Sequence, residues 1–103
     1  MNEKSGEPIN VGLAGLGRAG KSMHLRELEG REDRFRIVAV CDSSRKRRRE
    51  IARAWGCREC ASVEALAADP DVELLDVATR TVDHVPHALI GLEAGKHVFL
   101  EKP

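Results

Sequence analysis

A glycine pattern directly after a short apolar run constrains the fold of this chain more than any other feature. Gly15, Gly17 and Gly20 form G-x-G-x-x-G after the apolar run 9–14, and residues 18–29 have the pattern of a helix. Glycines at this spacing allow a tight turn, a close approach of the backbone to a phosphate, and close packing of helix on strand. The helix N-terminus adds unpaired N–H groups and the positive end of a dipole. We therefore predict a pyrophosphate-binding loop formed by Gly15, Leu16, Gly17, Arg18, Ala19 and Gly20.

An acidic residue stands where such a loop needs one. Asp42 ends the second apolar run, 22 residues after Gly20. A carboxylate there accepts hydrogen bonds from the adenosine ribose hydroxyls and repels a 2′-phosphate, which favours NAD over NADP. Residues 9–42 thus predict a βαβ unit that binds NAD. An ordinary strand-to-helix turn explains the spacing less well, and NADP use stays open because an arginine of the following helix could neutralise a 2′-phosphate.

Short apolar runs alternate with helix-like segments along the rest of the chain, which is typical of an α/β fold with a parallel sheet. Strands are predicted at 9–14, 36–41, 74–78 and 97–100, with a short one near 58–61. Helices are predicted at 18–29, from Ser43 or Ser44 to about Trp55 before Gly56, from Ser62 to Pro70, and at 84–94 before Gly95. A doubly wound fold normally has six strands. We therefore expect a Rossmann-type doubly wound parallel sheet over residues 9–103 that is incomplete.

Composition narrows the classes of partner and compartment. Seventeen basic and seventeen acidic residues cancel, which gives no reason to expect nucleic acid as a partner. Residues 1–8 are polar and are expected to form a disordered tail rather than a signal peptide. No apolar stretch approaches the ~20 residues of a membrane helix. Three cysteines without a signal favour free thiols and a cytoplasmic location.

Three further patterns have alternative interpretations. The basic run 45–49 resembles a nucleic-acid patch, but consecutive residues spread around a helix, so a solvated surface is favoured. Cys57 and Cys60 form C-x-x-C without a second pair for zinc and without a helix to activate a thiol, so we interpret them as small strand residues. Redox sensing is a weaker alternative. His84 and His87 are placed in a strand-to-helix loop facing the crevice rather than in a metal site, and no metal is predicted.

The end of the chain carries a specific resemblance. Residues 92–103 read L-E-A-G-K-H-V-F-L-E-K-P, and residues 66–72 read L-A-A-D-P-D-V. With the glycine loop and Asp42, these segments make residues 9–103 resemble the N-terminal domain of the glucose–fructose oxidoreductase / inositol dehydrogenase (Gfo/Idh/MocA) family. The resemblance implies hydride transfer between NAD(P) and a carbon of a sugar, cyclitol or similar polyol.

The resemblance also implies roles for individual residues. Lys102 matches the catalytic lysine that hydrogen-bonds the reacting oxygen, and Glu101 matches the position beside the nicotinamide. Further matches to cofactor-binding positions are Arg47 on the adenine side, Thr79, Arg80 and His84. Thr79-Arg80-Thr81 departs from the family's Thr-Pro-Asn, which puts the contacts of Arg80 in doubt.

The family has a C-terminal α/β substrate domain that the 103 residues lack. That domain supplies the sugar or polyol pocket, the general acid or base, and the surface through which family members form homo-oligomers. We therefore expect the 103 residues alone to lack appreciable turnover. The alternative is a stand-alone NAD(P)-binding or sensing module without chemistry, although such a module would not need Lys102.

Overall fold

The computed structural model of the protein describes residues 8–15, 34–79 and 81–100, and for Thr81, Val82 and His84 the backbone alone. The predicted helix 18–29 and most of the polar tail lie outside the described residues. The described residues contain five strands: β1 (Ile9–Ala14), β2 (Phe35–Cys41), β3 (Arg58–Cys60), β4 (Leu74–Val77) and β5 (His97–Leu100). Three described helices connect them: α1 (Arg45–Trp55), α2 (Val63–Ala68) and α3 (Thr81–Glu93).

The strands form one sheet with the order β3-β2-β1-β4-β5, in which every neighbouring pair is parallel. β1 lies in the centre. It pairs with β2 from Ile9 opposite Phe35 to Ala14 opposite Cys41, and with β4 up to Ala14 opposite Val77. The chain builds outward from β1 to β3 and then resumes on the other side of β1 with β4. The strand order therefore reverses between β1 and β4, as in a Rossmann-type sheet, which confirms the predicted fold class.

Both faces of the sheet are covered. One face carries side chains of β1 and β2 that pack on α1, with the cluster Leu13, Ile37, Val40, Ile51, Ala52 and Ala78. The opposite face packs on α2 and α3, with the cluster Ala14, Ala39, Cys41, Val63, Leu66, Val72, Leu75 and Val77 and the partly buried Ile90 and Val98. These side chains are aliphatic or small, as the near absence of aromatic residues predicts. Burial on two faces explains why the strands read as continuous apolar runs.

Helix ends follow the predicted capping residues. The Ser44 hydroxyl accepts a hydrogen bond from the Arg47 amide at 3.2 Å, and the Ser62 hydroxyl accepts one from the Ala65 amide at 3.1 Å. These bonds satisfy N–H groups that have no partner inside their helices. Gly56 closes α1 in the left-handed conformation, with φ of 63°. Among the described residues, no helix is long and apolar enough to cross a membrane.

The start of α3 differs from the prediction. The helix begins at Thr81 rather than His84, and Pro86 lies inside it. Because His84 and His87 both belong to this helix, their predicted place in a strand-to-helix loop is wrong. The helix continues through Pro86 and packs on the sheet, so closely that a Cβ on Gly91 would be 2.7 Å from Leu75 Cδ2. That contact favours helix despite the hydrogen bond that a proline removes. Smaller differences place the start of β2 one residue earlier and the end of β4 one residue earlier than predicted.

Candidate nucleotide-binding cleft

A cleft of about 490 Å³ opens at the carboxyl ends of β1, β2 and β4. Ligands of open α/β sheets bind at this edge, where the strand order reverses, and the volume falls in the range of small-molecule sites. The lining comes from the ends of three strands and from the first turns of α1, α2 and α3. It consists of Gly15, Cys41, Asp42, Ser43, Arg47, Ala61, Ser62, Val63, Glu64, Ala78, Thr79, Asp83 and His87.

Two backbone hydrogen bonds at Ala14 and Gly15 join the carboxyl ends of β1, β2 and β4. The Gly15 amide donates to the Cys41 carbonyl at 2.9 Å, and the Ala78 amide donates to the Ala14 carbonyl at 2.8 Å. Gly15 has φ of 95°, and a Cβ added there would lie 2.7 Å from the Ala78 carbonyl oxygen. Both the backbone conformation and the lack of space therefore require glycine. The first glycine of the predicted loop therefore occupies a position that only glycine fits, and the rest of that loop lies outside the described residues.

Asp42 is buried to 8% exposure at the end of β2. Its Oδ1 accepts a hydrogen bond from the Ser44 amide at 2.7 Å, and its Oδ2 lies 3.6 Å from Arg47 Nη1. The Asp42 carbonyl accepts a hydrogen bond from Arg48 Nη1 at 3.2 Å. An ionised carboxylate is an acceptor with about four lone-pair sites. This donor and acceptor chemistry fits a ligand that presents hydroxyl groups, as the adenosine ribose of NAD does.

The opposite wall of the cleft contains a polar pair. Thr79 Oγ1 and His87 Nδ1 are 2.9 Å apart and share a hydrogen bond. Asp83, one helical turn before His87, also lines the cleft. Neither Asp83 nor His87 was predicted as a cofactor-binding residue. Their i, i+4 spacing puts them on one helix face, a signal that becomes visible only when the helix starts as early as Thr81.

The structure brings four of the predicted site residues into one cleft: Gly15, Asp42, Arg47 and Thr79. The remaining predicted site residues lie outside the described residues, and they are Leu16, Gly17, Arg18, Ala19, Gly20, Arg80, Glu101, Lys102 and the side chain of His84. Residues 61–64, around the start of α2, also line the cleft, and no sequence pattern predicted this.

The cysteines are held as neutral thiols. Burial raises the pKa of Cys41 to about 12 and that of Cys57 to about 11, and it also raises the pKa of Cys60. All three are free. Cys57 precedes β3 and does not open a helix, so no helix dipole activates its thiol. Cys60 is a partly buried residue of β3, as interpreted, whereas Cys57 lies one residue before that strand. Among the residues that the structure describes, no three His, Cys, Asp or Glu side chains are placed to hold a metal ion.

Alkylation rates test these pKa shifts. At pH 8 we expect iodoacetamide to modify Cys41 at least about tenfold more slowly in the folded chain than in urea, because the thiolate is the nucleophile. Site-resolved mass spectrometry of the time course measures the rates. Rapid formation of a Cys57–Cys60 disulfide under mild oxidant would contradict the structural interpretation of that pair and favour redox sensing.

The similarity to known proteins begins at Ile9, where β1 begins. The sequence profile of the Gfo/Idh/MocA family, described as an oxidoreductase family with an NAD-binding Rossmann fold, matches residues 9–103. Inositol 2-dehydrogenase of Rhizobium meliloti is 36% identical over 95 residues, which cover 92% of this chain. D-glucoside 3-dehydrogenase of Escherichia coli is 33% identical over 99 residues, which cover 93% of this chain.

A solved structure shows the same similarity in three dimensions. The WlbA dehydrogenase of Bordetella pertussis, in complex with NADH and UDP-GlcNAcA, superimposes with a TM-score of 0.86 at 31% identity. The match covers 94% of this chain and 29% of that structure. The two curated dehydrogenases are matched over 28% and 27% of their length. This chain therefore spans between a quarter and a third of the length of each of these three proteins.

Proposed function

This chain belongs to the Gfo/Idh/MocA oxidoreductase family as an NAD-binding Rossmann domain, and we propose that it holds the cofactor of a dehydrogenase acting on a sugar, cyclitol or similar polyol. In this proposal residues 9–103 are the dinucleotide-binding domain, and a further part of the protein supplies the substrate pocket. The substrate class is supported by relatives named for inositol and for a glucoside. The 103 residues alone are not expected to turn over substrate.

One observation carries the assignment of the cofactor. A buried carboxylate, Asp42, lies in the same cleft as the glycine turn at Gly15, at the point where the strand order reverses. The carboxylate is the acceptor that ribose hydroxyls need, and the glycine turn leads into the predicted pyrophosphate loop. The residues present therefore fit a nicotinamide dinucleotide, with the adenosine at the β2 side of the cleft.

Other residues of the cleft are assigned to the two halves of the dinucleotide. Arg47, half exposed above Asp42, covers the adenine side. Thr79 and His87 form the wall on the β4 side of the cleft, where they bind the half of the dinucleotide that carries the nicotinamide. A bound nicotinamide would supply the redox chemistry, which is the exchange of a hydride with a carbinol or carbonyl carbon.

Lys102 is the residue proposed to touch the substrate. It follows the last residue of β5 by two positions, and the carboxyl ends of parallel strands are where substrates of open α/β sheets bind. Its ammonium would donate to the reacting oxygen, polarising a carbonyl or stabilising a developing alkoxide. Glu101 is placed beside the nicotinamide in the same proposal.

Direct titration tests the cofactor assignment. We expect the chain to bind NADH with one site, measured by the change in NADH fluorescence, and to bind NADPH more weakly. ADP-ribose should compete with NADH, because it carries the adenosine and pyrophosphate that the cleft recognises. Failure of the folded chain to bind NADH at any accessible concentration would overturn the proposal.

Substitution of Lys102 tests the proposed reaction. In the intact enzyme, Lys102→Met should lower kcat for cyclitol or hexoside oxidation by about a hundredfold or more, since a donor to the reacting oxygen is lost. NADH affinity should remain within about twofold, because the lysine is assigned to the substrate. Lys46→Met, on the exposed surface of α1, is the matched control. Equal turnover in the two variants would remove the catalytic role from Lys102.

A further inference from the structure

We propose that Arg48 is a positioning residue that holds Asp42 in the orientation needed to receive the adenosine ribose, an inference that rests on the proposed binding of NAD. Arg48 does not line the cleft. It acts on Asp42 through a hydrogen bond to the Asp42 backbone carbonyl.

The guanidinium of Arg48 joins two groups that are distant in sequence. Nη1 donates to the Asp42 carbonyl at 3.2 Å, and Nε donates to Glu59 Oε1 at 2.8 Å. The Arg48 side chain is 16% exposed, and its bond to the Asp42 carbonyl is partly buried, whereas its bond to Glu59 lies at the surface, where the Glu59 side chain is 33% exposed. Hydrogen bonds to a charged group are stronger than neutral ones. The guanidinium of Arg48 is therefore held by two hydrogen bonds, one to a backbone carbonyl and one to a carboxylate.

The two hydrogen bonds of Arg48, the Arg48 clamp, lie where the chain leaves the sheet at the end of β2. Glu59 belongs to the edge strand β3, opposite Val40 of β2, and Asp42 is the first residue after β2. Arg48 thus connects α1, the sheet edge and the turn that carries the ribose-binding carboxylate. With the carbonyl fixed by Arg48 and the carboxylate by Ser44 and Arg47, rotation of the Asp42 side chain and backbone is opposed from both sides.

The geometry needs arginine and not merely a cation. A guanidinium offers several N–H donors in a fixed plane and can serve a carbonyl and a carboxylate at once, whereas an ammonium is a compact point charge. Lysine at position 48 should therefore keep the charge and lose part of the clamp. This difference separates positioning from a general electrostatic effect on the cofactor.

Arg49 provides the matched control. It is the next residue of α1, carries the same charge, and its Nε lies 3.6 Å from the other oxygen of Glu59. Its side chain is 53% exposed, and it does not line the cleft. Replacing either arginine by glutamine removes one positive charge near the adenosine side, so any long-range effect on a phosphate is the same in both variants.

The test is a set of NADH titrations on the unsubstituted chain and on Arg48→Gln, Arg48→Lys and Arg49→Gln. We expect Arg48→Gln to raise the Kd for NADH by about fivefold to tenfold, less than the roughly tenfold or more of a charge-assisted hydrogen bond lost directly to the cofactor, because Arg48 acts through Asp42. Arg48→Lys should fall between it and the unsubstituted chain, and Arg49→Gln should change Kd by less than about twofold. Far-ultraviolet circular dichroism and thermal melts establish that each variant is folded at the temperature of the titration.

A double-mutant cycle with Asp42→Asn separates positioning from other effects. If Arg48 acts through Asp42, Arg48→Gln should change NADH affinity little in the Asp42→Asn background. The same loss in both backgrounds, or equal losses for Arg48→Gln and Arg49→Gln, would overturn the positioning role and leave the binding of NAD intact. An unsubstituted chain that does not bind NADH would overturn the proposed function together with this inference.

Discussion

Alanine at position 15 should lower the free energy of unfolding by about 3 kcal/mol or more, the combined size of backbone strain and overpacking. Gly15 has φ of 95°, which an L side chain rarely adopts, and a Cβ there would lie 2.7 Å from the Ala78 carbonyl oxygen. The collision is with backbone, which cannot turn aside as a flexible side chain does. Urea unfolding followed by circular dichroism measures the loss, and any folded fraction should bind NADH more weakly because the edge of the cleft is displaced.

Gly56→Ala is the control for this prediction. Gly56 also has positive φ, 63°, but a Cβ there would meet nothing within 4 Å. It should therefore show the conformational strain without the collision, at about 1 kcal/mol. If Gly15→Ala and Gly56→Ala destabilise the chain equally, the close contact between the two strand ends does not contribute, and the account of Gly15 as a packing residue is wrong.

Replacing Asp42 by asparagine is expected to raise the Kd for NADH by about tenfold or more, because a charged acceptor for the ribose hydroxyls is lost. Affinity for NADPH should fall less or rise, since the carboxylate no longer repels the 2′-phosphate. The ratio of the two Kd values, measured by fluorescence titration under one salt condition, is therefore the informative quantity. Asparagine keeps an oxygen for the Ser44 amide, which now bonds Oδ1 at 2.7 Å, so the turn itself should persist.

Glu93→Gln is the matched control for charge, because Glu93 is exposed at the end of α3 and does not line the cleft. It should leave both affinities within about twofold, as expected for a screened surface charge. A variant Asp42→Asn that binds NADH as tightly as the unsubstituted chain would contradict the ribose role of Asp42, while the location of the cleft would stand.

Local sequence patterns predicted most of the sheet. The apolar runs at 9–14 and 97–100 become β1 and β5 with the predicted bounds, and the short run near Cys60 becomes β3. Helix caps at Ser44 and Ser62 were equally readable. These features depend on a few neighbouring residues: continuous apolar runs, hydroxyl groups that accept from nearby amides, and glycines that adopt positive φ. Such features can therefore be predicted from short stretches of sequence.

The cleft depended on contacts that no short stretch contains. The start of α3 at Thr81 puts Asp83 on the same helix as His87 in the lining, and the helix is held on the sheet by the packing of Gly91 against Leu75. Likewise, the clamp from Arg48 joins Asp42 to Glu59 only because β3 pairs in register with β2.

Residue types and spacing therefore identified the glycine turn, the carboxylate and the fold class. The positions of the remaining walls required the sheet register and the depth of helix packing, because these are set by side chains far apart in the chain. Local propensity is a weak guide where tertiary packing competes with it.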